Sequence, residues 1–144
     1  MRMQLRSVLV LGIVAMLVLA ACGGDDDSSS GSASGSGNKP QLSGTVNDKG
    51  TKTVSGSQLD IEADDFYFKP TFVDAKPGTK LTIQIENEGK NEHTFTIDSA
   101  NVDQDLAPGK KAEVSVTVPA SGNLNFYCRF HRGSGMQGAI VATG

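Results

Sequence analysis

The 144-residue sequence contains no tryptophan and only two cysteines, two histidines and four methionines. Any site built from imidazole or thiolate groups must therefore use His93, His131, Cys22 or Cys128. Because only Cys128 lies beyond the first 22 residues, a scaffold of several disulfides is excluded, and the domain must be stabilised by its apolar core or by a metal. The sequence also has no run rich in Lys and Arg, and its formal net charge is −3, so nucleic acid is not an expected partner.

The N-terminus has the pattern of a bacterial export signal. Arg2 and Arg6 precede an apolar run over residues 8–19, which is too short for a comfortable transmembrane span. The run ends in Leu-Ala-Ala-Cys at residues 19–22, which resembles a lipobox, the motif whose cysteine is lipidated and becomes the mature N-terminus. We therefore predict a lipoprotein signal peptide over residues 1–21 and a Cys22 that carries acyl chains such as palmitate. A plain secretory signal, with a free Cys22, is the alternative.

A flexible tether is predicted to follow this anchor. Residues 23–37 are Gly, Ser and Asp with one Ala, and residues 38–56 are mostly polar, with Leu42 and Val46 among their isolated apolar residues. Such a composition cannot bury enough apolar surface to offset the entropy of ordering. The sequence thus predicts a tether over residues 22–56, with a root-mean-square span of about 30 Å. It would attach the protein to the outer face of the cytoplasmic membrane, or to the periplasmic side of a membrane.

Residues 57–144 are predicted to form one all-β domain. Short alternating apolar segments are separated by turn signals such as Pro77-Gly78, and no segment of useful length has a helical period. This pattern predicts a two-sheet β-sandwich of about seven to eight strands. The predicted strands lie within residues 59–63, 66–73, 81–85, 93–97, 112–118, 124–128 and 138–142.

The rare side chains of this domain fall into one pattern. Cys128, His131 and Met136 share a short loop between two predicted strands, and His93 begins a strand far upstream. Taken singly, a histidine on a strand more often makes ordinary hydrogen bonds than binds a metal. A lone cysteine is likewise more often a small buried apolar residue than a metal ligand. Together they match a trigonal site of two His and one Cys with a weak axial Met, which is the blue-copper pattern. The residues therefore predict one mononuclear copper site.

The domain resembles the blue copper proteins, or cupredoxins. The spacing Cys-x2-His-x4-Met from Cys128 is similar to that of the plastocyanin branch, and the segments 76–79 and 91–95 resemble the corresponding strand and first-histidine regions. The resemblance covers about residues 59–142 and implies a Greek-key sandwich. It also implies that His93, Cys128 and His131 bind copper equatorially and that Met136 binds axially. Plastocyanins often have a proline between the cysteine and the second histidine, where this chain has Arg-Phe.

Five residues around the predicted ligands are candidates for supporting roles. In the family, the residue after the first histidine commonly hydrogen-bonds the ligand loop, so we expect Thr94, or alternatively Asn91, to do so. We expect Phe130 either to form an apolar rim at His131, the electron port of the family, or to pack in the core. Arg129 and Arg132 flank the same histidine and predict a basic collar that would favour a partner with an acidic docking face.

The predicted function is that of a membrane-tethered carrier of single electrons between redox protein partners, working as a monomer with one type 1 copper ion. A copper-binding module for sequestration or delivery is the alternative, although such modules usually offer more accessible Met or Cys donors. An enzyme is not expected. Copper oxidases and copper–zinc dismutases need additional His ligands, and the chain has only two histidines.

Overall fold

The computed structural model of the protein describes residues 39–144. These residues form a β-sandwich of ten strands, which confirms the predicted all-β fold. One sheet has six strands: β1 (Thr51–Val54), β4 (Phe72–Ala75), β6 (His93–Ile97), β7 (Val102–Leu106), β9 (Asn123–Tyr127) and β10 (Gln137–Ala142). The other has four: β2 (Gln58–Asp64), β3 (Tyr67–Lys69), β5 (Lys80–Asn87) and β8 (Lys111–Thr117).

In the part of the chain that the structure describes, helical structure is confined to two single 3-10 turns, Asp98–Ala100 and Arg132–Ser134. Within residues 39–144, no helix has the length and apolarity needed to cross a membrane.

The strand order brings sequence-distant segments side by side. The six-stranded sheet runs β1-β4-β10-β9-β6-β7, and the four-stranded sheet runs β3-β2-β5-β8. Strand β4 pairs in parallel with both β1 and β10, whereas β9 pairs in antiparallel fashion with both β10 and β6. The end of β9 and the start of β6 therefore lie at the same edge of the sandwich, although they are more than thirty residues apart in sequence.

The core consists of the inward faces of the two sheets. Alternate residues of β5 are fully buried and point away from the polar residues between them, as a half-buried strand requires. Three phenylalanines, Phe68, Phe95 and Phe126, form a cluster with ring centroids 5.1–5.7 Å apart. Two of them lie two residues from a predicted ligand, Phe95 after His93 and Phe126 before Cys128, so the cluster fixes both strands beneath the predicted site.

Strand β7 was not predicted. Only its terminal residues, Val102 and Leu106, are apolar. The three residues between them are polar and include Asp103 and Asp105, so the sequence alone indicates a loop. The structure pairs this strand with β6, with His93 opposite Leu106. An edge strand tolerates this polarity because one of its sides faces solvent, where charged residues also discourage pairing with other chains.

The predicted domain start at residue 57 is too late, so the predicted tether over residues 22–56 is too long. Strand β1 pairs with β4 and buries Val54, and before it the N–H of Lys49 donates to Oγ1 of Thr71 over 2.7 Å. The polar composition of residues 39–56 gives no sign that this segment is ordered. It is held mainly by backbone hydrogen bonds, which hydropathy does not report. The signal peptide and Cys22 lie outside the described residues.

Gly138 is expected to be intolerant of any side chain. A Cβ atom at this position would lie 2.2 Å from the carbonyl oxygen of Thr71 and 2.5 Å from the Phe126 ring. Gly138→Ala should therefore lower the free energy of unfolding of the metal-free protein by about 1–3 kcal/mol, measured by urea denaturation. Gly56→Ala is the matched control, because a Cβ atom there meets no atom within 4 Å. Equal stability of the two variants would contradict this packing argument.

Candidate metal centre

Two imidazole rings and one thiol converge at the edge where β6 and β9 meet. Nδ1 of His93 lies 3.1 Å from Nδ1 of His131 and 4.0 Å from Sγ of Cys128, and the His131 nitrogen lies 3.4 Å from the same sulfur. His93 and Cys128 are fully buried, whereas His131 is partly exposed. The structure thus brings together the three side chains that the sequence analysis chose as equatorial ligands.

The triangle formed by these three atoms has the right size for one transition-metal ion. A point equidistant from the three atoms lies about 2.1 Å from each, close to the metal–nitrogen distance of about 2.0 Å and the metal–sulfur distance of about 2.3 Å in protein zinc sites. Two imidazoles and a thiolate in a trigonal arrangement suit copper. The donor set fits a single type 1 copper ion.

Met136 lies beside the triangle because the ligand loop, residues 128–136, folds back on itself. The N–H of Cys128 donates to the carbonyl of Met136 over 3.0 Å, and the N–H of Met136 donates to the carbonyl of His131 over 3.1 Å. Gly135 permits this turn with a φ of 95°, in the left-handed region. The Met136 side chain is fully buried. Its thioether is the one available near the site in the described part of the chain, because residues 39–144 contain no other methionine.

Thr94 joins β6 to the ligand loop through two atoms. Its backbone N–H donates to Sγ of Cys128 over 3.4 Å, and its Oγ1 accepts a hydrogen bond from the N–H of Arg129 over 2.8 Å. The first bond stabilises negative charge on the sulfur, and the second fixes the residue that follows the cysteine. The Thr94 side chain also lies 3.1 Å from the hydroxyl of Thr96, which donates to Asp103 over 2.9 Å.

Asn91, the alternative candidate to Thr94, contacts a different part of the protein. It lies against Asp65, to which its N–H donates over 3.3 Å, rather than against the ligand loop. The buried Asn87 organises this region instead, since its side-chain amide donates to the carbonyls of Asn91 and Leu106 over 2.8 and 2.7 Å. These bonds hold the turn that leads into His93.

Asp65 was missed by the sequence analysis. Its Oδ1 lies 3.1 Å from Nε2 of His93, on the side of the ring opposite the triangle. Partial burial raises the pKa of Asp65, but hydrogen bonds from Asn91, Lys90 and His93 outweigh this effect, so the pKa lies below its ordinary value. Nothing in a sequence signals that an aspartate in the β2–β3 turn meets a histidine 28 residues later.

Two phenylalanines border His131, and only one was expected there. The Phe130 ring is 55% exposed with its centroid 6.2 Å from that of His131, so it belongs to the surface and not to the core. Phe66, which the sequence pattern places in a strand, lies in the β2–β3 turn, and its ring centroid is 4.4 Å from that of His131. His131 thus lies next to one part-buried and one exposed aromatic ring.

The predicted basic collar is wrong for Arg129. Its guanidinium forms ion pairs with Asp103 and Asp105, with N–O distances of 2.9 and 2.5 Å, so its charge is paired within the protein. Arg132 lies over the ring of Tyr127, with 4.4 Å between the guanidinium carbon and the ring centroid. The residues flanking His131 thus carry a mixed charge distribution, with the carboxylates of β7 beside the first arginine.

An N-terminal strap, residues 43–47, crosses the ligand loop. The side-chain amide of Asn47 donates to the carbonyls of Ser134 and Phe66 over 2.7 and 2.9 Å. The amide of Gln137 donates in turn to the carbonyls of Ser43 and Thr45 over 2.8 and 2.7 Å. The strap therefore ties the ligand loop to the turn that carries Asp65 and Phe66.

Comparison with known proteins assigns the family. The family model of the cupredoxin-like domain matches residues 38–142, most of the chain and nearly all of its described part. The chain belongs to the cupredoxin-like family. This confirms the resemblance drawn from the ligand spacing, and it extends the domain to before residue 57. A comparison with curated protein sequences gives no significant match.

Several solved structures share the fold at low sequence identity. Reduced auracyanin from the photosynthetic bacterium Roseiflexus castenholzii superimposes with a TM-score of 0.55 at 15% identity, covering 63% of this chain and all of auracyanin. Auracyanin B gives 0.51 at 19% identity, covering 75% of this cupredoxin and all of its own chain. The metal-binding domain of the Streptococcus pneumoniae Cu(I)-exporting ATPase gives 0.55 at 10% identity, with 66% and 95% coverage.

The buried His93 makes the metal-free cupredoxin pH-sensitive. Burial lowers the pKa of this histidine below its ordinary value, more strongly than the Asp65 hydrogen bond raises it. The unfolded chain then binds more protons than the folded one below about pH 6.5. The free energy of unfolding should therefore fall as the pH drops from 7 towards 5, measured by urea denaturation with chelator and reductant present. His93→Asn should flatten the profile in this range, and unchanged slopes would contradict the assignment.

Proposed function

We propose that the protein carries single electrons between redox proteins through one type 1 copper ion bound by His93, Cys128, His131 and Met136. The observation that carries this proposal is the triangle of two imidazole nitrogens and one sulfur, of a size that suits one metal ion. When bound, copper supplies a centre that alternates between Cu(I) and Cu(II) by gain or loss of one electron. The cupredoxin-like fold and the similarity to auracyanins support this assignment.

The protein contributes the frame that holds the donor atoms together. The donor atoms of His93, Cys128 and His131 converge on one position. Hydrogen bonds made by Thr94, accepted by Asp65 and donated by the strap hold the elements that carry them. Such a site would hold Cu(I) and Cu(II) in nearly the same geometry, so little reorganisation would accompany electron transfer. The imidazole of His131, bordered by the exposed Phe130, provides the route between the buried site and a docked partner.

A carrier fits the burial of the donors better than a copper-delivery module does. Cys128 and Met136 are both fully buried, so an acceptor protein cannot reach the sulfur atoms by ligand exchange without opening the loop. Oxidases also share this fold, so the fold alone does not separate a carrier from an enzyme. The ligand inventory favours a carrier, because both histidines of the chain are used in one site and a second copper site would need more.

Visible absorption after addition of Cu(II) tests the proposal. The wild-type protein should turn blue through a charge-transfer band from the Cys128 thiolate to Cu(II), and Cys128→Ser should lose that band completely. Met136→Leu is the matched control within the same loop. It should keep the colour and raise the reduction potential, because only a weak donor to Cu(II) has been removed. A colourless copper-loaded wild-type protein would refute the type 1 assignment.

We further propose that Cys22 anchors the protein to the outer face of the cytoplasmic membrane through acyl chains. At least two such chains would give stable attachment, and a polar segment before residue 39 would let the domain move near the surface. In cells, the wild-type protein should partition into the detergent phase of a Triton X-114 extract. Cys22→Ala should move it to the aqueous phase, whereas Cys128→Ala should not. Unchanged partition of the Cys22 variant would exclude this anchor.

A further inference from the structure

The carboxylate of Asp65 occupies the outer side of the first histidine. Oδ1 of Asp65 lies 3.1 Å from Nε2 of His93, whose side chain is fully buried, while the Asp65 side chain keeps 24% of its surface exposed. Nδ1 of the same ring points to the sulfur and to His131. Because Nδ1 is directed at the metal position, the ring proton lies on Nε2, which donates a hydrogen bond to the carboxylate.

Several features hold the carboxylate at this place. The N–H groups of Lys90 and Asn91 donate to its two oxygens over 3.2 and 3.3 Å. Gly89 leaves the space it needs, since a Cβ atom at that position would lie 2.5 Å from Oδ1 of Asp65 and 3.0 Å from Nε2 of His93. The strap reaches the same turn through Asn47, which donates to the carbonyl of the next residue, Phe66. The contact is thus fixed from three directions.

We propose that Asp65 is a positioning residue that shifts the copper centre towards Cu(II) through its hydrogen bond to His93. A carboxylate that accepts a hydrogen bond from the imidazole N–H fixes the ring tautomer. It also makes the other ring nitrogen a stronger ligand for the metal. Its negative charge also favours the more highly charged metal state, one imidazole ring away. Both effects lower the reduction potential for the step Cu(II) + e⁻ → Cu(I), in which no proton is transferred. This inference rests on the proposed binding of copper by His93.

Asp65→Asn tests the charge while it preserves the shape. The amide oxygen still accepts the hydrogen bond, so the site should assemble and keep its blue band. We expect the Cu(II) affinity to fall about tenfold relative to that of Cu(I), which corresponds to a rise in potential of about 59 mV for one electron. The measurement is a spectroelectrochemical titration of the copper-loaded full-length protein, together with competition against chelators for each copper state.

Asp64→Asn is the matched control. Asp64 is the neighbouring carboxylate, and it bonds the Tyr67 hydroxyl over 2.8 Å and the N–H of Asp65 rather than His93. Its removal should change the potential much less than removal of Asp65 does. Equal shifts in the two variants would show a general charge effect, and no shift in Asp65→Asn would show a passive contact. Either result would overturn the proposal.

Gly89→Ala provides a second variant that leaves the Asp65 charge in place. The added methyl group displaces the carboxylate from Nε2, so the potential should rise here as well. In the Cu(I) protein, which is diamagnetic, the His93 Nε2 proton should give a slowly exchanging downfield NMR signal in the wild type. That signal should be lost or exchange rapidly in Gly89→Ala, and its unchanged persistence together with an unchanged potential would contradict the proposal. A wild-type protein without a blue band would instead refute the proposed function itself.

Discussion

Two hydrogen bonds of Thr94 connect the parts of the chain that supply the metal-binding side chains. The direct ladder between β6 and β9 is short, with Thr96 opposite Tyr127. Towards the site, the connection is continued by the bond from the Thr94 N–H to the Cys128 sulfur and by the bond from the Arg129 N–H to the Thr94 hydroxyl. The position of the ligand loop relative to His93 depends on this junction.

The same junction explains why Arg129 is not available as a docking cation. The Thr96 hydroxyl donates to Asp103, so it accepts its other hydrogen bond from the Thr94 hydroxyl, which in turn accepts from the backbone of Arg129. The Arg129 side chain forms an ion pair with the same Asp103. Every donor in this series of hydrogen bonds is directed towards the Asp103 carboxylate, so each bond strengthens the next. Arg129 therefore stabilises the ligand loop from both its backbone and its side chain.

The clustering of His93, Cys128 and His131 and the fold class were predictable because both leave a signal in the residue pattern. Alternation marks the core strands, and scarcity leaves one set of soft donors in the domain. The strap, β7 and the contacts of Asp65 and Phe66 have no such signal. Each depends on which polar groups meet after the sheets have packed, and hydropathy does not distinguish a polar residue in a solvated tail from one that hydrogen-bonds a distant carbonyl. The sequence therefore located the donors but not the groups that orient them.

The groups that sequence reasoning missed share one location. Asp65, Phe66 and the strap all contact the His93 and His131 side of the site through one turn, the connection between β2 and β3. Asp65 meets the first histidine, Phe66 covers one face of the second, and Asn47 links that turn to Ser134 in the ligand loop. His131 also lies beside the exposed Phe130, with 6.2 Å between the ring centroids. This histidine thus adjoins both the turn that holds the site and a residue exposed to solvent, an arrangement that the proposed electron transfer to an external partner would require.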